Sequence, residues 1–201
     1  MRKNWLIIVN TIGTIDDLIE KYQSILDKLN EIIHLIFLDL SPSDLTLADV
    51  ADIKYGRGLE ASKLVYDMKY PVYGSNGIIG TLNTFDFEEP KIAISCRGAS
   101  SGNVLLTKPF STISSNSLFL NFKSNNDTLP IYSYLKRIGL SAFATGSAQP
   151  QITIENIQHL KVPELTKQSK NTNFLMDLLF ITQSKIDYAQ KIKTFLLNKY
   201  F

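Results

Sequence analysis

Between residues 15 and 37, apolar side chains recur at Ile15, Leu18, Tyr22, Ile25, Leu29, Ile32 and Ile36, in alternating steps of three and four. Asp16, Asp17, Glu20, Lys21, Ser24, Asp27, Lys28, Asn30 and Glu31 fill most positions between them. A helix of 3.6 residues per turn returns these positions to one side, so the stretch predicts an amphipathic helix with a heptad seam. Ile19, Leu26 and Ile33 form a second row beside the seam, making the stripe wider than a two-helix zipper needs. Residues 1–13 are an apolar lead-in with Gly13 as a weak point at its end. The helix is expected to stop near Phe37, because Ser41, Pro42 and Ser43 cannot continue it.

From Leu45 the period shortens. Residues 47–51 read as a helical turn and residues 52–55 as a strand ending in Gly56, Arg57 and Gly58. Residues 70–73 and 78–81 are short β segments around Gly74, Ser75, Asn76 and Gly77, a composition that favours a tight turn. Residues 91–95, 104–106 and 118–122 continue the sheet, with Ser114, Ser115 and Asn116 between the last two. Residues 130–138 read as a helix with Asp127 or Thr128 as cap and Pro130 in the first turn. Thr153 caps a short helix through His159, and residues 161–163 form an exit strand. Residues 171–201 return to helical spacing, with Leu175, Leu178, Ile186, Ala189, Ile192 and Leu196 on one side.

The two helical segments resemble each other at an offset of 160 residues: Asp17, Leu18, Gln23, Ser24, Asp27 and Ile32 recur as Asp177, Leu178, Gln183, Ser184, Asp187 and Ile192. Two amphipathic helices share a restricted alphabet, so six identities are compatible with chance as well as with a repeat of one helix plus one β-rich domain. The fold class expected is α+β: a β-rich mixed α/β domain at 41–165, between helices at 1–40 and 166–201 that form an antiparallel coiled coil.

With 201 residues, 44% hydrophobic and 20% charged, the chain has the composition of a soluble globular protein. The five apolar residues from Trp5 to Val9 are too few for a signal-peptide core or a membrane span, so a cytoplasmic location is the simplest fit. The sole cysteine, Cys96, excludes an internal disulfide and a cysteine-cluster metal site. Net charge is only +2, yet residues 91–137 hold six Lys/Arg against one acid, a balance that phosphate binding would need and that solvated faces also produce.

Catalytic constellations are missing. His34 and His159 lack companions at metal-ligand spacing, so surface or structural roles are expected. Gly56 and Gly58 lack the third glycine of a dinucleotide loop, and Gly74, Gly77 and Gly80 are wrongly spaced for one. No Walker loop, nucleophile elbow or HExxH is found, and Cys96 reads as a small packed residue.

Five stretches occur in a telling order: 45–58 (LTLADVADIKYGRG), 70–77 (YPVYGSNG), 92–104 (IAISCRGASSGNV), 116–120 (NSLFL) and 146–163 (GSAQPQITIENIQHLKVP). This series resembles the target recognition domain of specificity subunits from type I restriction-modification systems. Residues 12–19 (IGTIDDLI) and 195–201 (FLLNKYF) look like the start and end of that family's spacer helices. The resemblance implies a non-catalytic subunit that supplies DNA sequence reading to an adenine-methylating modification subunit and an ATP-using restriction subunit. The chain itself would hold no cofactor; S-adenosylmethionine, ATP and Mg would belong to the partners. The family's full subunit alternates two recognition domains with two long helices, whereas this chain has one, so it looks like a half-length form that reads one half-site, or like the second half of a full subunit. It would act as a homodimer, pair with another half, or be an inactive cassette. A coiled-coil assembly protein without DNA reading, and the detached specificity part of a fused restriction enzyme, are the rival readings.

If the domain reads DNA, polar side chains on loops must reach base edges while others fix phosphates. Arg97, Arg57, Tyr73, Ser75, Asn76, Ser100, Ser147, Gln149 and Gln151 are the loop candidates, and Lys108, Lys136 and Arg137 the phosphate candidates. Each also has a bland alternative, such as loop bracing for the arginines or turn formation for Asn76. A helix over 15–37 would run roughly 34 Å, close to one turn of B-DNA, which suits a spacer between half-sites. The wide stripe (Leu18, Ile19, Tyr22, Ile25, Leu26, Leu29, Ile32, Ile33 and Ile36, with Leu178 and Ile192) predicts a partner beyond the helix pair, most simply a second copy completing a four-helix bundle.

Overall fold

A computed structural model describes residues 2–60, 62, 64–65, 69–122, 127–146, 149–166 and 172–200, the first six of them as backbone only. The elements in chain order are α1 (Arg2–Ile36), α2 (Leu47–Val50), β1 (Ala51–Tyr55), β2 (Tyr70–Gly74), β3 (Gly77–Leu82), β4 (Ile92–Ser95), β5 (Val104–Leu106), β6 (Thr112–Ile113), β7 (Ser117–Phe122), α3 (Thr128–Ile138), α4 (Ile154–Ile157) and α5 (Asn173–Tyr200). They form two compact units, one of Met1–Ile36 with Thr172–Phe201, the other of Phe37–Asn171.

In the helical unit, α1 and α5 form an antiparallel coiled coil. Lys193 Nζ meets Asp16 Oδ1 at 2.5 Å, joining a position twenty residues before Ile36 to one twenty residues after Asn173. The less exposed apolar positions of α1 are Ile8, Ile12, Ile15, Ile19, Tyr22, Leu26, Leu29 and Ile33. On α5 the less exposed positions include Leu175, Leu179, Thr182, Ile186, Ala189, Lys193 and Leu196. Both series step by fours and threes, the spacing of a coiled-coil seam. This corrects the seam assignment. Ile15, Tyr22 and Leu29 belong to it as expected, but the row between them is Ile19, Leu26 and Ile33, and Leu18, Ile25, Ile32 and Ile36 are left exposed. Ile15, Tyr22 and Leu29 are flanked by apolar residues at both i+3 and i+4. A small roll about the helix axis chooses between the two rows, and only the partner helix decides it.

The helix also reaches well ahead of the periodic stretch that starts at Ile15. It begins at Arg2 and passes through Gly13, which is exposed with open space where a Cβ would sit. A helical glycine costs about 1 kcal/mol relative to alanine, which packing on either side offsets. With 35 residues α1 runs about 52 Å, so the match to one turn of B-DNA does not hold. The offset repeat acquires a structural counterpart. Gln23 donates to Asp27 Oδ1 at 3.1 Å, and Gln183 makes the same bond to Asp187 Oδ1 at 3.0 Å. Leu18 and Ile32 are exposed, and so are their equivalents Leu178 and Ile192.

The β-rich unit holds a four-stranded antiparallel sheet in the order β1-β7-β4-β5 and a three-stranded sheet in the order β3-β2-β6. Ala51 pairs Phe122 through Tyr55 with Leu118, Ile92 pairs Leu120, and Ile92 also pairs Leu106. One face of the larger sheet buries Ile92, Ile94, Leu118 and Leu120 with Ile131 and Leu135 of α3, Leu140, Ile152 and Ile157. The other face packs Ala93 and Phe119 against Tyr73 and Ile113 of the smaller sheet. Covered on both faces, β4 is buried at all four positions and does not alternate. Strand β6, only Thr112 and Ile113 beside β2 in parallel, was not expected. It is too short to leave a period.

The expected exit strand is reduced to one bridge, Lys161 to Thr46. Around it the entering and leaving segments are laced together: Ser43 N donates to Val162 O (3.0 Å), Val162 N to Leu45 O (2.9 Å) and Leu47 N to Leu160 O (2.8 Å). Thr46 starts α2, its amide donating to Asp49 Oδ2 at 2.7 Å. Thr153 starts α4 with its amide donating to Asn156 Oδ1 at 2.9 Å, while Asn156 N donates back to Thr153 Oγ1 at 3.3 Å.

Candidate nucleic-acid interface

Strand direction decides which loops meet. In the order β1-β7-β4-β5 every neighbour is antiparallel, so the end of β1, the start of β7, the end of β4 and the start of β5 lie at one end of the sheet. That end carries three loops: residues 56–58, 114–116 and 96–103. The β2–β3 hairpin turns through Ser75 and Asn76, with Gly74 paired to Gly77 and Gly77 at φ 113°, a turn that suits glycine. It is fastened to the same end, for Ser75 Oγ donates to Asn116 O at 3.2 Å and Ser95 Oγ donates to Ser75 O.

A fifth segment, residues 149–151, joins them. Arg97 bridges Gln151, Gly98 N donates to Pro150 O (3.0 Å), Ser101 Oγ donates to the same carbonyl (2.7 Å) and Ile152 N donates to Cys96 O (3.0 Å). Arg97, Gly98, Gln149, Pro150 and Gln151 line a cleft of about 210 Å³. Arg97 and Gln149 are exposed and Gln151 is half-buried. Thus Arg57, Ser75, Asn76, Arg97, Ser100 and Gln149, scattered over the sequence, lie on loops at one end of the sheet.

The other candidates are placed differently. Tyr73 is buried between the sheets, and its hydroxyl accepts from the Lys108 amide at 3.0 Å, so it is part of the core. Lys136 Nζ donates to Val104 O at 3.2 Å, bracing the start of β5. The Arg137 guanidinium donates to the carbonyls of Leu38 and Leu40 and lies over the Tyr134 ring at 5.6 Å. Arg57 is half-exposed, paired with Asp86 Oδ1 at 3.1 Å, and its backbone is held by Ile113 O and Ser115 N. Ser147 lies outside the described residues.

Asn116 lies at the same end of the sheet and is a candidate that sequence reasoning did not single out. It is exposed at the turn before β7, and its carbonyl accepts from Cys96 N at 3.0 Å as well as from Ser75. An asparagine among serines between two strands signals a turn; only strand pairing tells at which end of the sheet the turn falls.

Chemically, the end of the sheet offers a guanidinium fork, carboxamides and hydroxyls on loops with fixed backbones, the groups that pair with base edges. Cys96 is fully buried and burial raises its thiol above the ordinary value, so it stays protonated at neutral pH, its Sγ 3.7 Å from Ser115 O. Among the described residues no group of three His, Cys, Asp or Glu could hold a metal ion, and no helix is long and apolar enough to cross a membrane.

Residues 43–194 match the family described as type I restriction modification DNA specificity domain. Among solved structures, the chain is similar to a type I restriction-modification system S subunit from M. genitalium, at 20% identity and TM-score 0.67, over 94% of this chain and 56% of that one. An HsdS subunit from Thermoanaerobacter tengcongensis aligns at 13% identity and TM-score 0.47, over 98% of this chain and 57% of that one. A chain of a type I R-M system, described for its complex assembly and conformational transition, aligns at 15% identity and TM-score 0.49, over 96% and 57%. The chain therefore spans a little over half the length of the solved structures it matches. No curated protein matches it. The match over most of its length identifies the chain as a member of the type I restriction modification DNA specificity domain family.

Proposed function

We propose that this chain is a DNA sequence-recognition component of a type I restriction-modification complex. Its β-rich unit reads one half-site, and its helices dock an adenine methyltransferase subunit. The observation that carries the reading is the gathering of Arg97, Gln149, Asn76 and Asn116 on braced loops at one end of the sheet, within a chain of the DNA specificity family. The chain is non-catalytic in this role and works in the cytoplasm. The methyl donor and the ATP and magnesium of cleavage are bound by partner subunits.

A second copy is the simplest partner for the helical unit. Phe174, Leu178, Ile181, Tyr188, Ile192 and Phe195 are exposed on α5 at heptad spacing, and Leu18, Ile25, Ile32 and Ile36 are exposed on α1. A second seam left open on both helices is what a four-helix bundle of two copies would close.

Mapping methylated adenines genome-wide, with the modification subunit present and this chain present or deleted, tests the function. A sequence motif whose methylation disappears on deletion is the expected result. An unchanged methylation map would overturn the proposal in favour of an assembly protein or a silent cassette.

A further inference from the structure

We infer that the cleft between Arg97 and residues 149–151 reads a guanine through Arg97 and a nearby adenine through Gln149, from the major-groove side of the duplex. This deepens the proposed function and rests on it. Among the described residues the Arg97 guanidinium has no hydrogen-bond or ion-pair partner, whereas Arg57 is held by Asp86 at 3.1 Å. A guanidinium has donors only. It therefore cannot accept from the amino groups of adenine or cytosine, and its fork fits the O6 and N7 acceptors of guanine.

The carboxamide of Gln149 offers one donor and one acceptor, matching adenine N7 and N6. The described lining of the cleft carries no carboxylate, the group that accepts from cytosine N4.

Both side chains belong to one cleft. Arg97 and Gln151 are opposed partners of an antiparallel bridge, so their side chains leave on one face, and Gln149, on the bend two residues before Gln151, lines the same cleft. The segments are also pre-set: Thr145 and Gln151 exchange both backbone hydrogen bonds, at 2.9 and 2.8 Å, and Pro150 O accepts two more. Binding need not order them, which is the condition for discrimination at single bases.

Selection from a randomised duplex pool tests the inference, using the full chain alone and with its methyltransferase subunit. The wild type should enrich a motif that contains a guanine and a nearby adenine. Arg97→Ala should lower the preference at the guanine roughly 5- to 150-fold and leave the adenine column intact. Gln149→Ala should do the reverse. Both positions are exposed, so circular dichroism should show folded variants.

A guanine preference that survives Arg97→Ala, or an even loss of affinity across all sequences, would overturn the inference while leaving DNA reading in place. The second of these results would make Arg97 a phosphate contact. Failure of the wild type to enrich any motif in either setting would overturn DNA reading itself, and the inference with it.

Discussion

The basic stretch 91–137 shows why charge is a poor guide to an interface until its partners are known. Lys91 is buried, its Nζ 2.9 Å from Asn121 Oδ1, and Lys136 and Arg137 donate to backbone carbonyls. Much of the local positive charge is held by the fold's own hydrogen bonds. Arg97 remains exposed in the cleft. We therefore expect Arg137→Ala to lower stability by about 1–2 kcal/mol in urea unfolding and to leave the salt dependence of DNA affinity unchanged. A phosphate contact would instead flatten the dependence of log affinity on log salt by about one unit. Gly102 illustrates steric control at the same scale. Its φ is +92°, and a Cβ there would sit 2.4 Å from Ser141 N and 2.6 Å from Leu140 C, both backbone. Gly102→Ala should cost about 2 kcal/mol or more, read as a lower urea midpoint at unchanged m-value.

Among the elements, the long helices were legible because their period persists over several turns, and most strands because short apolar runs stand between Gly, Asn and Ser turns. What the sequence could not say was which of two apolar rows on α1 faces α5, because Ile15, Tyr22 and Leu29 support both. Nor could it reveal β6, whose two residues have no period, or the laced entry and exit segments, which lie more than a hundred positions apart in the chain. The inner and outer seams now make separable predictions. Ile186→Ala, at a buried seam position, should destabilise the helical unit by about 2–5 kcal/mol. Tyr188→Ala and Phe195→Ala, whose side chains are 67% and 62% exposed, should barely change unfolding but should weaken self-association. Light scattering at micromolar concentration reads this directly: a dimer for the wild type and a shift to monomer for the double variant. A wild-type monomer would count against the four-helix bundle.

At the scale of the molecule, the candidate site was readable as a set of residues but not as a place. Gly56, Arg57 and Gly58, the 74–77 turn, the 96–103 loop and the 149–151 segment each looked like loops with reachable polar groups. Antiparallel pairing brings 56–58, 114–116 and 96–103 to one end of a sheet, hydrogen bonds fasten the 74–77 turn and the 149–151 segment there, and packing between the two sheets sends Tyr73 into the core. Asn116 was overlooked for the same reason, since its turn gains meaning from what lies beside it. The most direct measurement is site-specific photo-cross-linking to duplex DNA. A cross-linking side chain at Asn116 or Gln149 should capture DNA. One at Ala48 in α2, which leads into the opposite end of β1, should not. Equal capture from Ala48, or none from Asn116 and Gln149 while binding persists, would contradict the assignment of this end of the sheet as the reading face.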